Sequence, residues 1–283
     1  MNNIFSMAYI HWNPSKEIID LGFYALRWYS LCFALGFVLS FYLLKKQFKT
    51  AGLDETYLEK LTMYLVLATV IGARLAHCIF YDFDYYSQHI AEIFLPVKFD
   101  PFRFVGFQGL ASHGGILGVF IATVLFCRKY KVKPLWLLDR LSVVGALAGC
   151  CIRMGNLMNS EIIGKPTDVA WAFIFEQVDN VPRHPGQLYE ALAYFSIFVI
   201  LSIVLKKSNR HNGFIFGLFF TLLFIARFLI EFVKADQSAF EAGMMFNMGQ
   251  LLSIPFIIFG LVMMYLKKDA RNPDENAAKL ETK

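Results

Sequence analysis

Apolar residues gather along this chain into long runs, each closed by a basic or polar segment. Several runs are long enough to cross a hydrocarbon core of about 30 Å, which takes about 20 helical residues. Seven spans are predicted, at residues 22–44, 58–80, 113–128, 135–152, 187–205, 212–233 and 249–266. The third and fourth are short and interrupted by glycine. Two connections, 81–112 and 153–186, are longer than a link requires, and long loops that are neither Gly/Ser-rich nor highly charged tend to carry function. The expectation is an all-α polytopic membrane protein of about seven transmembrane helices with two longer outer-side loops. No internal repeat divides it, so residues 1–283 are expected to form one integral membrane domain, with 267–283 as a polar cytoplasmic tail.

Composition strengthens this picture, since 57% of residues are hydrophobic and only 17% charged, where soluble domains run to about a quarter charged. Lysine and arginine positions then set the orientation. If the first helix exits into the cytoplasm, 16 of them fall on cytoplasmic segments and seven outside. The positive-inside rule therefore puts the amino terminus outside and the carboxyl terminus in the cytoplasm. The net charge of +5 belongs to topology and inner-leaflet attraction, so nucleic acid is not an expected partner. The first 21 residues lack a basic start, apolar core and small-residue cleavage site, and the first span is expected to double as the insertion signal. Five cysteines, an odd number without a CxxC, sit in or beside apolar spans. They are expected as packed free thiols, with no disulfide framework, no metal motif and no cofactor.

Against this apolar background the polar residues need reasons. "CCIRMGNLMNSEIIG" (150–164) follows the fourth span and sets Arg153, Asn156, Asn159 and Glu161 beside Gly155 and Gly164. A cation, two amides and a carboxylate among glycines can build a polar pocket; an Arg153–Glu161 loop pair is the plainer alternative. "ARFLIEF" (226–232) puts Arg227 and Glu231 at i and i+4 inside the sixth span, one helix face on which they can neutralise each other. Charges at such depth cost at least about 2.5–3.5 kcal/mol each on insertion scales, so a decorative pair is not expected, and a structural clamp is the alternative to a functional role. Arg74, Glu190 and His184 join His113 and Arg153 in a polar ring near the outer ends of the spans. Asp139 and Arg140 are expected at the cytoplasmic interface or in a contact with a neighbour. Phe80, Tyr81, Phe83, Tyr85 and Tyr86 suit an aromatic belt at headgroup depth better than a substrate contact. His113 precedes Gly114 and Gly115, and Gly114-x-x-x-Gly118 lets a neighbouring helix or a lipid headgroup come close; Gly145-x-x-x-Gly149 offers the same on the fourth span.

The successive motifs "LRWYSL" (26–31), "SHGGILG" (112–118), "IRMGNLMNSEIIG" (152–164), "RHPGQLYEA" (183–191), "RFLIEF" (227–232) and "MGQLLSIP" (248–255) resemble the signatures of the bacterial prolipoprotein diacylglyceryl transferases, in order and over nearly the whole chain. Ile152, Gly186 and Lys234 depart from the family's usual residues. The resemblance implies a seven-helix inner-membrane enzyme. Such an enzyme moves the diacylglyceryl group of phosphatidylglycerol onto the lipobox cysteine of a prolipoprotein signal peptide, forms a thioether and releases glycerol phosphate. Its partners are phosphatidylglycerol, the signal peptide and membrane lipids.

That chemistry assigns roles. The candidate catalytic residues are His113, Arg153 and Arg227. An imidazole can accept the thiol proton or hold the lipid, and the two arginines can bind the phosphodiester and stabilise its growing charge. The candidate substrate-binding residues are Tyr29, Arg74, Gly114, Gly115, Asn156, Asn159, Glu161, Gly164 and Glu231. A small-anion transporter is the alternative class. It is disfavoured because repeats and broken paired spans are missing and the polar groups cluster toward one leaflet.

Overall fold

A computed structural model describes residues 9–20, 22, 25–95, 97–99, 102–104, 109–207, 210–235, 244 and 246–265. The expected tail at 267–283 lies outside them. The helices are α1 (Trp28–Thr50), α2 (Glu55–Phe80), the short α3 (Phe83–Gln88) and α4 (Ala91–Phe94), α5 (Ser112–Tyr130), α6 (Pro134–Met158), α7 (Gly186–Lys207), α8 (Phe214–Ile230) and α9 (Met248–Tyr265). Among the described residues, α1, α2, α6, α7, α8 with its following turn, and α9 are long and apolar enough to cross a membrane. The protein is a multi-pass, helical membrane protein. The expected third span coincides with α5, which is not among those six; His113 and three glycines at one end and Arg128 and Lys129 at the other dilute its apolar run.

Several boundaries differ from expectation. The helix α1 begins at Trp28, not at residue 22, because Ala25–Arg27 forms a strand, and it continues through Lys45, Lys46 and Lys49 to Thr50. The helix α6 runs to Met158 instead of stopping near 152, so Arg153 and Asn156 stand on its final turns and not in a loop. The helix α8 stops at Ile230, and Glu231 opens a single 3-10 turn, Glu231–Val233. The all-α scaffold also carries small strands. These are β1 (Ile10–Trp12), β2 (Glu17–Asp20), β3 (Ala25–Arg27), β4 (Val97–Phe99), β5 (Phe102–Phe104), β6 (Phe173–Phe175) and β7 (Pro182–Arg183).

The chain divides into two compact units, Met1–Leu44 with Asp139–Pro273, and Lys45–Leu138 with Asp274–Lys283. In the first, Val143 and Ala146 of α6 pack with Tyr194, Ile197 and Leu201 of α7 and Ile215 of α8. A small sheet of order β1-β6-β7 covers a second apolar cluster of Leu157, Phe173 and Phe175. There Trp12 Nε1 donates to the Leu157 carbonyl at 2.9 Å, tying β1 to the end of α6. At the opposite end of α6 the Asp139 carboxylate accepts from the Gly213 and Phe216 amides, each at 2.8 Å. It thereby caps the start of α8, the neighbour contact foreseen for it. All five cysteines are free.

In the second unit, α2 and α5 meet backbone to backbone. A Cβ on Gly114 would run into the Gly72 carbonyl, and one on Gly118 into the Ala68 carbonyl. The close approach that these glycines permit is therefore taken by a helix. Arg74 of α2 holds α4, its Nη2 donating to the Glu92 carbonyl at 2.7 Å and its Nε to the Ile93 carbonyl at 3.1 Å, and the Glu92 carboxylate in turn accepts from the Phe99 amide of β4 at 2.9 Å.

Candidate active site

The end of α6 builds the first unit's polar cluster. Ser160 adopts φ 55°, the left-handed conformation that closes a helix, while its amide bonds the Leu157 carbonyl and the Glu161 amide bonds the Asn156 carbonyl. This pairing is a Schellman motif. It folds Glu161 back over Asn156, so that Asn156 Nδ2 donates to Glu161 Oε2 at 3.1 Å and Asn159 Nδ2 to Oε1 at 3.0 Å. Asn156 in turn accepts from Arg153 Nη1 at 3.1 Å. The expected polar pocket is thus a directed chain from Arg153 through Asn156 to Glu161, and among the described residues no ion pair joins Arg153 to Glu161 directly.

The counter-charge for Arg153 is Glu190 of α7, whose Oε2 lies 2.7 Å from Nε. The contact is ionic, since no aligned hydrogen bond reaches that oxygen. The other oxygen of Glu190 lies 3.5 Å from Lys234 Nζ, and Lys234 stands 3.5 Å from Glu231 Oε2. Glu190, Lys234 and Glu231 are all buried. Sequence reasoning paired Glu231 with Arg227, but among the described residues no ion pair joins them; Glu231 opens the 3-10 turn that follows α8, and its carboxylate lies beside Lys234, three residues on. Arg227 lies near enough to Tyr194 of α7 to act on its hydroxyl electrostatically.

Gly164 forms a bridge with Lys234, and its amide bonds the His184 carbonyl at 2.9 Å. A Cβ there would sit 2.8 Å from the Val233 carbonyl, so only glycine lets the three segments meet. Tyr29, at the start of α1, is the packing partner of Gly155, where a Cβ would lie 2.9 Å from its ring, and it lies within electrostatic reach of Glu161 and Arg153. Beside this cluster, Trp171 Nε1 donates to the Tyr189 hydroxyl at 2.8 Å, and that hydroxyl stands 3.1 Å from His184 Nδ1. Burial pushes the His184 imidazole below its ordinary pKa. On the neighbouring loop, hydrogen bonds from Arg183 hold the Asp179 carboxyl below the usual carboxylate range.

His113, Gly114, Gly115 and Arg74 belong to the second unit. His113 is exposed at the start of α5 and lines a shallow cleft of about 290 Å³ with Ala76, Phe80, Tyr81 and Leu117. Gly114 is committed to α2, whereas a Cβ on Gly115 would meet Thr69 at an ordinary 3.5 Å. Arg74, expected at a ligand, is buried beneath the Tyr86 ring at 4.7 Å and grips α4.

A profile of the family described as prolipoprotein diacylglyceryl transferase matches residues 16–266. The chain belongs to that family. A prolipoprotein diacylglyceryl transferase is also what its relatives are named. The Bacteroides fragilis phosphatidylglycerol–prolipoprotein diacylglyceryl transferase is 46% identical over 270 residues, covering 94% of this chain and 97% of its own. The one from Tolumonas auensis is 46% identical over 266 residues, covering 93% and 100%. That of Chloroherpeton thalassium is 43% identical over 261 residues, covering 91% and 94%.

Among the transferase residues that sequence reasoning left out of the site are Gln187, Tyr194 and Lys234, while Glu190 was placed only in the polar ring. Gln187, Glu190 and Tyr194 fall at i, i+3 and i+7 of an otherwise apolar helix. That stripe was the available signal. Lys234 carried none, because a lone lysine after a span reads as an interfacial residue.

Proposed function

We propose that this chain transfers the diacylglyceryl group of phosphatidylglycerol to the lipobox cysteine thiol of prolipoprotein signal peptides, in the bacterial inner membrane with its amino terminus outside and its carboxyl terminus in the cytoplasm. The observation that carries this reading is Arg153, a partly buried guanidinium held by Glu190 and Asn156 at the end of a membrane helix, in a chain of this family. Such a group suits a phosphodiester whose charge increases during the reaction.

The thiolate sulfur attacks the glycerol carbon that bears the phosphate. A C–S bond forms, the C–O bond breaks, and the phosphodiester leaves as glycerol phosphate, a monoester. The thiol has an unperturbed pKa of about 8.5 and must lose its proton. His113 is the proposed acceptor; its alternative role is to hold the lipid. Arg153 and Arg227 bind the diester and stabilise the leaving phosphate. Asn156 and Glu161 orient Arg153 and the headgroup hydroxyls, Tyr29 and Asn159 support that network, and Gly164 gives the backbone room to close around it. Glu231 acts through Lys234. The test is direct: purified protein, phosphatidylglycerol and a lipobox peptide, with mass spectrometry for the peptide's diacylglyceryl adduct. An unmodified peptide from well-folded protein refutes the reading.

A further inference from the structure

The buried polar stripe on α7 converges on one side chain. Gln187 donates to the Glu161 carbonyl, fixing the loop that follows Arg153. Glu190 lies against Arg153 Nε at 2.7 Å and reaches Lys234 with its other oxygen. Tyr194 lies within electrostatic reach of Arg153, and its ring fills the space beside Gly149, where a Cβ would lie 3.0 Å away.

A guanidinium presents five N–H groups in a rigid plane. In Arg153 the Nε edge faces Glu190, Nη1 faces Asn156, and Tyr194 stands within electrostatic reach. Partners on two helices, Asn156 on α6 and Glu190 with Tyr194 on α7, fix the plane, so the N–H groups that do not face them have a set direction. We propose that Glu190 and Tyr194 are positioning residues, which hold the Arg153 guanidinium in the orientation from which it meets the phosphate. The inference rests on the transfer reaction proposed above. It assigns α7 a part in the chemistry through Arg153 and without contact with the reacting atoms. Because the arginine's hold strengthens as the diester becomes a monoester, misdirecting it slows turnover more than it weakens lipid binding.

The test uses the full-length enzyme in detergent with phosphatidylglycerol and a lipobox peptide. Glu190→Gln keeps the volume and one acceptor, and is expected to lower kcat by about 100-fold with KM for phosphatidylglycerol changed by less than about threefold. Tyr194→Phe keeps the ring packing and guards against a folding defect in the first variant; it is expected to lower kcat by about tenfold. Combined with Arg153→Lys, which has no planar fork left to orient, neither change should slow the enzyme further. Defects that multiply with Arg153→Lys, or a Tyr194→Phe enzyme at the parental rate, overturn the inference while leaving the transfer reading standing. An inactive parent enzyme overturns both.

Discussion

Lys234 places its ammonium 3.5 Å from Glu231 Oε2, and both side chains are buried. The same ammonium serves Glu190 from the other side, so one lysine balances two carboxylates contributed by different elements. Lys234→Met would leave both without it. The expected loss is about 3–5 kcal/mol of stability, the cost of breaking a buried pair by removing one partner. The Glu231→Gln/Lys234→Met double variant should be milder than Lys234→Met alone, because Glu190 keeps Arg153. Thermal unfolding in detergent decides this, and simple additivity of the two single losses would count against a coupled pair.

Arg153→Ala is expected to abolish transfer by orders of magnitude while the protein still inserts. Arg153→Lys should recover little, since a point charge cannot use the edge that faces Glu190 and the amide that faces it from Asn156 together. Turnover near the parental rate in the lysine variant would remove the need for a planar fork.

His113 is exposed beside its cleft, which admits a role either as proton acceptor or as lipid ligand. A base is needed less once the substrate thiol ionises unaided. The His113→Asn defect should therefore shrink markedly between about pH 7 and pH 9, across the thiol's pKa of about 8.5. A defect constant over that range, with a raised KM for phosphatidylglycerol, would assign His113 to binding instead.

Gly114 and Gly115 are adjacent yet should respond oppositely. A methyl group on Gly114 strikes the α2 backbone, which cannot yield as a side chain can, so Gly114→Ala should cost at least about 1–3 kcal/mol. Gly115→Ala meets only ordinary contacts and should be neutral or stabilising by up to about 1 kcal/mol through helix propensity. Paired melting curves test both, and equal losses would contradict the packing described.

His184 predicts a pH dependence of stability. Its imidazole, facing the Tyr189 hydroxyl, is held below its ordinary value of 6.5 by burial, so the unfolded chain binds the proton more readily. Stability from this group is whole above about pH 6.5 and declines as pH falls below it. His184→Asn should flatten that part of an unfolding profile measured from about pH 5 to pH 7.5; an unchanged slope would assign the dependence elsewhere.

The spans were legible because each carries its own signal, a run of apolar residues with basic residues at one end. Boundaries were not, where polar residues extend a helix. "RMGN" reads as loop, yet Arg153 and Asn156 belong to α6 because Glu190 and the Schellman turn satisfy them. The strands escaped notice because they are two to four residues long, too short to show an alternating pattern, and β1 in addition pairs far along the chain with β6, Ile10 opposite Phe173. Site residues in the motifs were legible through resemblance to the family. Their partners were not: Glu231 still donates its amide to the Arg227 carbonyl one turn back, yet its carboxylate goes to Lys234, and the i, i+4 rule gives neighbours on a face without fixing which of them pair.

The backbone contact between α2 and α5 has a mechanical meaning. Where Gly72 meets Gly114 and Ala68 meets Gly118 the helices touch through main-chain atoms, with no side chain between them to shear or rotate. Sliding one past the other would drive a carbonyl into a neighbouring Cα. That contact fixes the start of α5, and with it the backbone that carries His113, in register against α2.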